Sequence, residues 1–127
     1  MASIDFLKGN FGIEIEMTGI TRAKAAKTVA GQLRGIIERL YDSYDTHNVT
    51  AQDGRVWKIV SDGSIVTQKK VNGVKVPADR TYSIELVSPI LTYEEDIETV
   101  QEIVRKLRKA GAFSESQNRT GIHIHLD

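Results

Sequence analysis

Strict alternation of apolar and polar residues marks both ends of the chain. Near the start, Phe11, Ile13, Ile15 and Met17 alternate with Gly12, Glu14, Glu16 and Thr18. At the end, Ile122, Ile124 and Leu126 alternate with His123, His125 and Asp127. Successive side chains on a strand point to opposite faces, so each segment predicts a strand with an apolar core on one side. The other side then carries two carboxylates on the first strand and two imidazoles on the last.

The longest helical pattern follows the first strand. Thr21 can cap a helix, and the apolar residues after it keep steps of three and four: Ala26, Val29, Leu33, Ile36, Ile37, Leu40 and Tyr44. This spacing predicts one long amphipathic helix. Gly31 and Gly35 would each weaken that helix by about 1 kcal/mol relative to Ala, so we expect them to allow close packing against a sheet.

A polar segment and a strand follow. Residues 42–55 are mostly polar and turn-forming, which predicts a surface loop with a solvated His47. Residues 56–60 then predict a strand, and its Trp57 is expected to pack in the core.

The next stretch contains the turn signals of a β-meander. We expect a turn at residues 61–64 and a short strand at 65–67. The pair Asn72-Gly73 is typical of a tight hairpin, so residues 68–76 predict a β-hairpin on the surface.

A strand and a second helix come after the hairpin. Residues 81–88 alternate so that Tyr82, Ile84 and Leu86 share the core face and Glu85 points away from it. Thr92 and Glu95 have the spacing of a capping box. The helix that they start carries a narrow apolar stripe of Tyr93, Ile97, Val100, Val104 and Leu107 and ends at Gly111.

This order of elements predicts an α+β fold with two helices packed on one face of a mostly antiparallel sheet. A length of 127 residues suits a single domain, residues 1–127. The face without helices then gathers Glu14, Glu16, Glu85, His123, His125 and Asp127.

Composition excludes several classes of function. Lys plus Arg equals Asp plus Glu at 17 each, without long blocks of one sign, so we expect no nucleic-acid partner. The absence of cysteine excludes disulfides and thiolate metal sites and suits a reducing compartment. No signal peptide and no apolar run of about 20 residues occurs, so we expect a cytoplasmic protein without a membrane partner.

The gathered carboxylates suggest metal binding. Residues two apart on a strand lie roughly 7 Å apart, whereas Mg²⁺ ligands approach to about 2.0–2.1 Å. Glu14 and Glu16 would therefore serve two neighbouring ions, an arrangement that clamps polyphosphate well. Carboxylates favour Mg²⁺ or Mn²⁺, and the histidines leave Zn²⁺ open.

Each polar pattern also has a simpler interpretation. A lone Glu-x-Glu or His-x-His is commonly the solvated face of an antiparallel sheet. Asp62-Gly63-Ser64 on its own is typical of a turn rather than of a catalytic serine. Three strands that share the polar pattern bring the hypothesis of a functional site level with that of a solvated face.

Four segments in order resemble the amidoligase family, which is related to glutamine synthetase and glutamate-cysteine ligase. They are Phe11-Gly12-Ile13-Glu14-Ile15-Glu16, Trp57 with residues 61–65, residues 84–91 and residues 121–127. The resemblance implies an ATP-dependent ligase that joins a carboxylate to an amine through an acyl phosphate. It also implies Mg²⁺ ions bound on the concave face of a curved antiparallel sheet.

The resemblance assigns roles to individual residues. It implies metal binding by Glu14, Glu16, Glu85 and His123. It implies ATP binding by His123 and His125, and a catalytic motif at Asp62 and Ser64. The substrates would be a small-molecule or peptide carboxylate and an amine.

The family's catalytic domain continues beyond the His-x-His strand. We therefore expect residues 1–127 to be the N-terminal part of a longer amidoligase domain, a glutamine synthetase-like half-domain that is inactive alone. An unfinished sheet edge invites pairing with a second chain, which predicts a homodimer or a higher homo-oligomer.

Two alternatives come from other classes of function. A small metal-dependent hydrolase could use the histidine pair, although metallohydrolase barrels need more chain and the cupin pattern needs a following Glu. The other alternative is a non-catalytic binding or assembly module.

Overall fold

The computed structural model of the chain describes residues 9–126. Within this range the strands are β1 Asn10–Met17, β2 Ile36–Arg39, β3 His47–Thr50, β4 Val56–Val60, β5 Gln68–Val71, β6 Val74–Pro77, β7 Ile84–Val87, β8 Leu91–Thr92 and β9 Ile122–Leu126. The α-helices are α1 Arg22–Leu33 and α2 Tyr93–Lys109. Short 3₁₀ turns occur at Arg80–Tyr82 and Ser116–Asn118.

Seven strands form one sheet in the order β2-β3-β4-β7-β1-β8, with β9 also paired to β1. Every pairing is antiparallel. Phe11 is paired with both Leu91 of β8 and Leu126 of β9, so these two strands lie on opposite edges of β1. Strands β5 and β6 form a separate two-stranded sheet. The α+β fold predicted from the sequence is confirmed.

The core lies between the helices and one face of this sheet. The apolar residues of β1 are buried, as their alternation predicts, and Trp57 is 1% exposed. Buried residues of the helices complete the core: Ala25, Ala26 and Val29 from α1, and Val100, Ile103 and Leu107 from α2. The opposite face of β1 therefore carries Glu14 and Glu16, away from the helices.

The prediction of one long helix is wrong. Helix α1 ends at Leu33, because Arg34 adopts a left-handed conformation with φ of 51° and its N–H bonds to the Ala30 carbonyl. Residues 36–39 form β2 instead, paired with β3. Ile36 and Ile37 fit the helical spacing and an edge strand equally well, so local periodicity could not separate the two structures.

The two glycines of this region behave differently. A Cβ atom at Gly35 would lie 2.5 Å from the carbonyl oxygen of Thr50, so the close approach expected there is confirmed. A Cβ at Gly31 would meet nothing within 4 Å, so the same expectation is wrong for Gly31.

The segment expected to be a surface loop contains strand β3. His47 is buried at 4% exposure, rather than solvated, and its Nδ1 lies 3.0 Å from the backbone oxygen of Asp45. Val49 is the only aliphatic residue in β3. The local sequence therefore lacks the repeated apolar alternation that would predict a strand.

The hairpin prediction is confirmed, but the prediction of a short strand before it, at residues 65–67, is wrong. Asn72 and Gly73 both have positive φ, as the tight turn between β5 and β6 requires. Residues 65–67 form no strand: the Val66 N–H donates to the Asn118 carbonyl, and Ile65 is buried in the loop. Strand β7 is shorter than predicted, because Tyr82 belongs to a 3₁₀ turn.

Helix α2 forms where predicted, with a different N-terminal cap. The Thr92 side chain makes no capping bond. Instead, Asp96 accepts a hydrogen bond from the Thr92 N–H at 2.8 Å and from the Arg55 guanidinium at 2.7 and 3.0 Å. The capping-box prediction for Glu95 is therefore wrong. Neither α1 nor α2 combines the length and the apolarity needed to cross a bilayer.

Strand β9 is paired to β1 but is not covered by the helices. Ile122, Ile124 and Leu126 are 60%, 60% and 65% exposed, so the prediction of a half-buried strand is wrong. Their exposure follows from the position of β9 at the edge of the sheet, where no described element packs over its apolar face.

Candidate active site

Strands β7, β1 and β9 lie side by side and bring acidic and imidazole side chains together. Glu16 on β1 is directly paired with Glu85 on β7. On the other edge of β1, Glu14 is directly paired with His123 on β9. Asp127 lies outside the described residues. The remaining polar residues of the predicted face therefore meet on three adjacent strands.

Three carboxylates form the centre of this face. One oxygen from each of Glu16, Asp62 and Glu85 lies within 4.8 Å of the others, and all three residues are half-buried. Asp62 reaches the group because Val60 of β4 is paired with Glu85, which places the following turn beside β7. The Asp62 N–H donates to Ser83 Oγ at 2.9 Å. The loop after β4 is thereby fixed against the strand that carries Glu85.

Ser64 holds the Asp62 side chain in this position. Its N–H and its Oγ both donate to Asp62 Oδ1, at 2.9 and 2.7 Å. Burial raises the pKa of Asp62, but the Ser64 hydrogen bonds help to outweigh it and the pKa falls to about 2. Arg80 also donates to the Asp62 backbone carbonyl at 3.0 Å. Asp62 is therefore a fixed, negatively charged member of the cluster at neutral pH.

Each histidine contacts a glutamate that lies two residues along β1 from its direct cross-strand partner. His123 Nε2 lies 3.3 Å from Glu16 Oε1, and His125 Nε2 lies 3.0 Å from Glu14 Oε1. Such diagonal neighbours are within reach of long side chains in an antiparallel pair. The His123 and His125 side chains are 58% and 64% exposed. The imidazoles thus border the carboxylates on the open side of the sheet.

The cluster concentrates negative charge. Burial, together with the neighbouring Glu14 and Asp62 carboxylates, raises the pKa of Glu85 to about 7. Burial and the Asp62 carboxyl also raise the pKa of Glu16, against an opposing effect of His123. A bound cation would favour the charged form of every carboxylate here. The electrostatics therefore suit a positively charged ligand.

A cavity of about 520 Å³ opens beside the cluster. Asp62 and Glu85 line one part of it, and Tyr44, which is 62% exposed, lines another. The other lining residues are Ser43, Val60, Ser61 and Gly63, so within residues 9–126 no lysine or arginine lines this cavity. A second cavity, of about 590 Å³, lies on the helix side of the sheet between α2 and β9 and contains none of the predicted site residues.

The structure thus brings the predicted residues to one face of the sheet, but only some of them belong to the three-carboxylate group. Glu16, Asp62 and Glu85 form the three-carboxylate group, while Glu14 lies beside it with His125. Sequence reasoning placed Asp62 in a catalytic motif and did not group it with the glutamates. It also missed Ser83, whose Oγ anchors the Asp62 loop. The Asp-x-Ser spacing, typical of a side-chain-capped turn, was the available signal for a fixed Asp62.

Comparison with known proteins gives a family match. A family model with the description "Putative amidoligase enzyme" matches residues 8–127, a range that includes all four segments discussed above. No curated protein and no solved structure gave a match. Because the family match covers nearly the entire chain, the chain belongs to the amidoligase family, whose name denotes a ligase-type function.

Proposed function

We propose that the three-carboxylate group binds a divalent cation and that the chain acts in ATP-dependent ligation of a carboxylate to an amine. The observation that carries this proposal is the approach of Glu16, Asp62 and Glu85 oxygens to within 4.8 Å of one another. Membership of the amidoligase family supplies the reaction class. The proposed substrates are a small-molecule or peptide carboxylate and an amine.

The donor set fits Mg²⁺, with Mn²⁺ as a possible substitute. Both ions prefer oxygen ligands, and Mg²⁺ is usually held by one or two carboxylates together with substrate phosphates. Glu16, Asp62 and Glu85 would hold the ion, and Glu14 and His123 lie next to them. When bound, the ion supplies positive charge that neutralises and aligns the polyphosphate of ATP.

The remaining residues of the face position these ligands and the nucleotide. Ser64 fixes one oxygen of Asp62, and His123 contacts Glu16, so two of the three ligands are held by neighbours. The exposed imidazoles of His123 and His125 can donate N–H groups to phosphate oxygens at the open side of the sheet. This supports their assignment to ATP binding.

In the proposed reaction the protein forms no covalent bond to the substrates. A carboxylate oxygen of the substrate attacks the γ-phosphorus of ATP, so that an acyl phosphate forms and ADP leaves. The amine nitrogen then attacks the acyl carbon, and phosphate leaves as the amide forms with loss of a proton from nitrogen. Positioning and charge neutralisation dominate phosphoryl transfer, and both are properties of this face. The adjoining cavity of about 520 Å³ has room for a small substrate.

The hydrolase alternative receives less support from the donor set. The Nε2 atoms of both histidines face glutamate oxygens, and three carboxylates form the closest group of potential ligands in the described part of the chain. Such an oxygen-rich set favours Mg²⁺ or Mn²⁺ over the imidazole-rich sites typical of zinc hydrolases.

Calorimetric titration with Mg²⁺ and Mn²⁺ tests the metal site. We expect binding to the unmodified chain and at least tenfold weaker binding to Glu16→Gln and Asp62→Asn. Glu94→Gln is the matched control, because Glu94 is exposed on α2 and lies outside the site. Equal affinity in the chain and in both site variants would contradict the proposal.

The reaction is tested with ATP, Mg²⁺, a panel of amino-acid and peptide carboxylates, and hydroxylamine as the amine. An acyl phosphate would be trapped as a hydroxamate with release of ADP. In any form of the protein that forms hydroxamate, Glu94→Gln should keep this activity and Glu16→Gln should lose it. Hydroxamate formed at the same rate by Glu16→Gln would exclude the proposed role of the cluster.

A further inference from the structure

Arg22, the first residue of α1, is a buried arginine that bonds to two separate parts of the chain. Its side chain is 8% exposed. Nη1 donates to the backbone carbonyls of Arg80 and Ser83 at 2.7 and 2.8 Å, and Nε donates to Asp45 Oδ2 at 3.1 Å. Burial of a charged group is costly unless the group is paired and hydrogen-bonded, so these bonds define where the guanidinium lies. The guanidinium therefore holds residues 80–83 in a fixed position relative to Asp45.

The segment that Arg22 holds also carries the groups that hold Asp62. Arg80 Nη2 donates to the Asp62 carbonyl at 3.0 Å. The buried Ser83 hydroxyl accepts the Asp62 N–H at 2.9 Å. The two residues that bond to Asp62 are thus the same two whose carbonyls bond to Arg22. Arg22 acts on Asp62 through them.

Asp45, the other partner of Arg22, belongs to the loop on the far side of the cavity beside the carboxylates. Tyr44, the residue before Asp45, lines this cavity of about 520 Å³ together with Asp62. The Tyr44 carbonyl accepts the N–H of Ser61 at 2.9 Å, one position before Asp62 in the chain. One buried guanidinium therefore connects the two walls of the cavity.

These bonds oppose a repulsion within the candidate site. Oxygen atoms of Glu16, Asp62 and Glu85 lie within 4.8 Å of one another, and like charges at this separation repel. Glu16 and Glu85 lie on strands, whereas Asp62 lies on the loop after β4. Asp62 is therefore the carboxylate that most needs support from its neighbours to stay in the group.

We propose that Arg22 is a positioning residue that keeps Asp62 in the three-carboxylate group and thereby raises the affinity of the group for a divalent cation. The part of this inference that concerns affinity rests on the proposed function. Residues that orient metal ligands without touching the ion typically change its affinity by about 10–100-fold when they are substituted. Arg22 has this relationship to Asp62.

Arg22→Lys separates the geometry of the side chain from its charge. An ammonium is a compact charge on a flexible chain, whereas a guanidinium presents several donors in a rigid planar fork. Lysine at this position keeps a positive charge for Asp45 but cannot reproduce the fork that also reaches the carbonyls of Arg80 and Ser83. The substitution should therefore release residues 80–83 while a cation stays beside Asp45.

Arg39→Lys is the matched control. Arg39 Nε donates to the other oxygen of the same carboxylate, Asp45 Oδ1, at 2.7 Å. The Arg39 side chain is 46% exposed, and within residues 9–126 it makes no hydrogen bond to residues 80–83. Arg39→Lys thus changes the environment of Asp45 without changing the support of Asp62.

Calorimetric titration with Mg²⁺ tests the effect on affinity, at a temperature at which circular dichroism shows that each variant is folded. We expect about tenfold weaker binding to Arg22→Lys than to the unmodified chain. Arg39→Lys should bind as the unmodified chain does. Equal affinity of Arg22→Lys and the unmodified chain, or equal losses in both variants, would overturn the proposal.

Hydrogen exchange without metal tests the support of Asp62 separately from the proposed cation site. The Asp62 amide, which bonds to Ser83, should exchange faster in Arg22→Lys than in the unmodified chain and in Arg39→Lys. The amides of β1 serve as the internal reference. Unchanged exchange at Asp62, or an equal acceleration at Asp62 and throughout β1, would overturn the positioning role. If the unmodified chain binds no Mg²⁺ while Asp62 exchange responds as expected, the cation site is contradicted and the support of Asp62 by Arg22 is not.

The unmodified protein offers a further test that does not depend on the folding of a variant. Coupling between two sites is reciprocal, so bonds of Arg22 that favour cation binding must themselves be stabilised by the bound cation. The guanidinium N–H groups of Arg22 should therefore exchange more slowly in saturating Mg²⁺ than in its absence. Those of Arg39 should show no comparable change. Exchange at Arg22 that does not respond to bound Mg²⁺ would refute the coupling.

Discussion

Glu16 on β1 lies directly opposite Glu85 on β7, so two carboxylates occupy one cross-strand pair at the centre of the sheet. Like charges in such a pair destabilise a sheet. Asp62 adds a third carboxylate to the same place. These three carboxylates therefore repel one another. A cation bound between them would turn this unfavourable cluster into a favourable one.

The first prediction concerns Glu85→Gln and pH. Burial and the Glu14 and Asp62 carboxyls raise the pKa of Glu85 from its ordinary 4.5 to about 7. When folding raises the pKa of an acidic group, the group contributes most stability below its ordinary pKa. The free energy of unfolding then falls as pH rises from the ordinary pKa to the raised one. Without metal, Glu85→Gln should therefore be more stable than the unmodified chain at pH 8. Allowing for solvent screening, we expect a gain on the order of 1 kcal/mol.

Urea unfolding in the presence of a chelator measures this difference at pH 5 and pH 8. The gain should be clearly larger at pH 8. Glu94→Gln is the control, and it should show no comparable change with pH. A Glu85→Gln variant that is less stable than the unmodified chain at pH 8 would contradict the electrostatic interpretation.

The second prediction concerns Glu14→Ala and Glu16→Ala. Glu16 is a proposed ligand, and Glu14 is a carboxylate beside the group that the family resemblance also assigns to metal binding. Each change removes a negative charge and relieves repulsion, so the free energy of unfolding without metal should change little. Ligase activity should be abolished in any form of the protein that shows it. Mg²⁺ at 100 times its Kd should stabilise the unmodified chain by about 2.7 kcal/mol and should leave Glu16→Ala unchanged.

Thermal unfolding with and without Mg²⁺ checks this effect, with Glu94→Ala as the control that keeps the response. If Mg²⁺ stabilises Glu16→Ala as much as it stabilises the unmodified chain, the cation binds elsewhere. Retained ligation in either variant would likewise refute the metal role of the residue that was changed.

The third prediction concerns the ion pair between Arg55 and Asp96. The Asp96 side chain is 7% exposed and accepts two hydrogen bonds from Arg55 as well as the Thr92 N–H at the start of α2. Asp96→Asn removes the charge of this largely buried carboxylate, while the Arg55 side chain is 36% exposed, and should destabilise the fold by about 2 kcal/mol. Asp53→Asn should cost less than about 1 kcal/mol, because the Asp53 side chain is 52% exposed.

The contribution of Asp96 should also depend on pH. The Arg55 guanidinium lowers the pKa of Asp96 below its ordinary 3.8. A carboxyl group whose pKa is lowered by folding stabilises the protein at pH values above its ordinary pKa. That contribution is lost as pH falls through the lowered pKa. Denaturant unfolding should therefore show a smaller difference between Asp96→Asn and the unmodified chain at pH 2.5 than at pH 7. An undiminished difference at pH 2.5 would argue against the ion pair.

The fourth prediction compares two glycines with the same substitution. Gly35→Ala would place a Cβ 2.5 Å from the Thr50 carbonyl oxygen, so backbone must move, and we expect a loss of about 1–3 kcal/mol. Gly31→Ala lies within α1, where a Cβ meets nothing within 4 Å. It should stabilise the helix by about 0.5–1 kcal/mol. Chemical unfolding of both variants checks the pair, and effects of the same sign would contradict the close contact at Gly35.

The sequence by itself determined the faces of the central strand. The alternation from Phe11 to Met17 assigned its apolar residues to the core and Glu14 and Glu16 to the opposite side, because the direction of a strand's side chains depends only on position. The same local rule predicted the face of Glu85, and the preference of Asn-Gly for positive φ predicted the turn at Asn72-Gly73. The four ordered segments also sufficed to indicate the family.

Only the tertiary structure decided the features that depend on distant neighbours. Helix α1 ends at Leu33, and just beyond it Gly35 closely approaches the carbonyl of Thr50, a contact across 15 positions that periodicity cannot report. Asp62 joins Glu16 and Glu85 because β4 pairs with β7, although its own sequence indicates only a turn. The apolar residues of β9 are exposed because burial requires a covering element as well as an apolar face, and strand alternation specifies only the face.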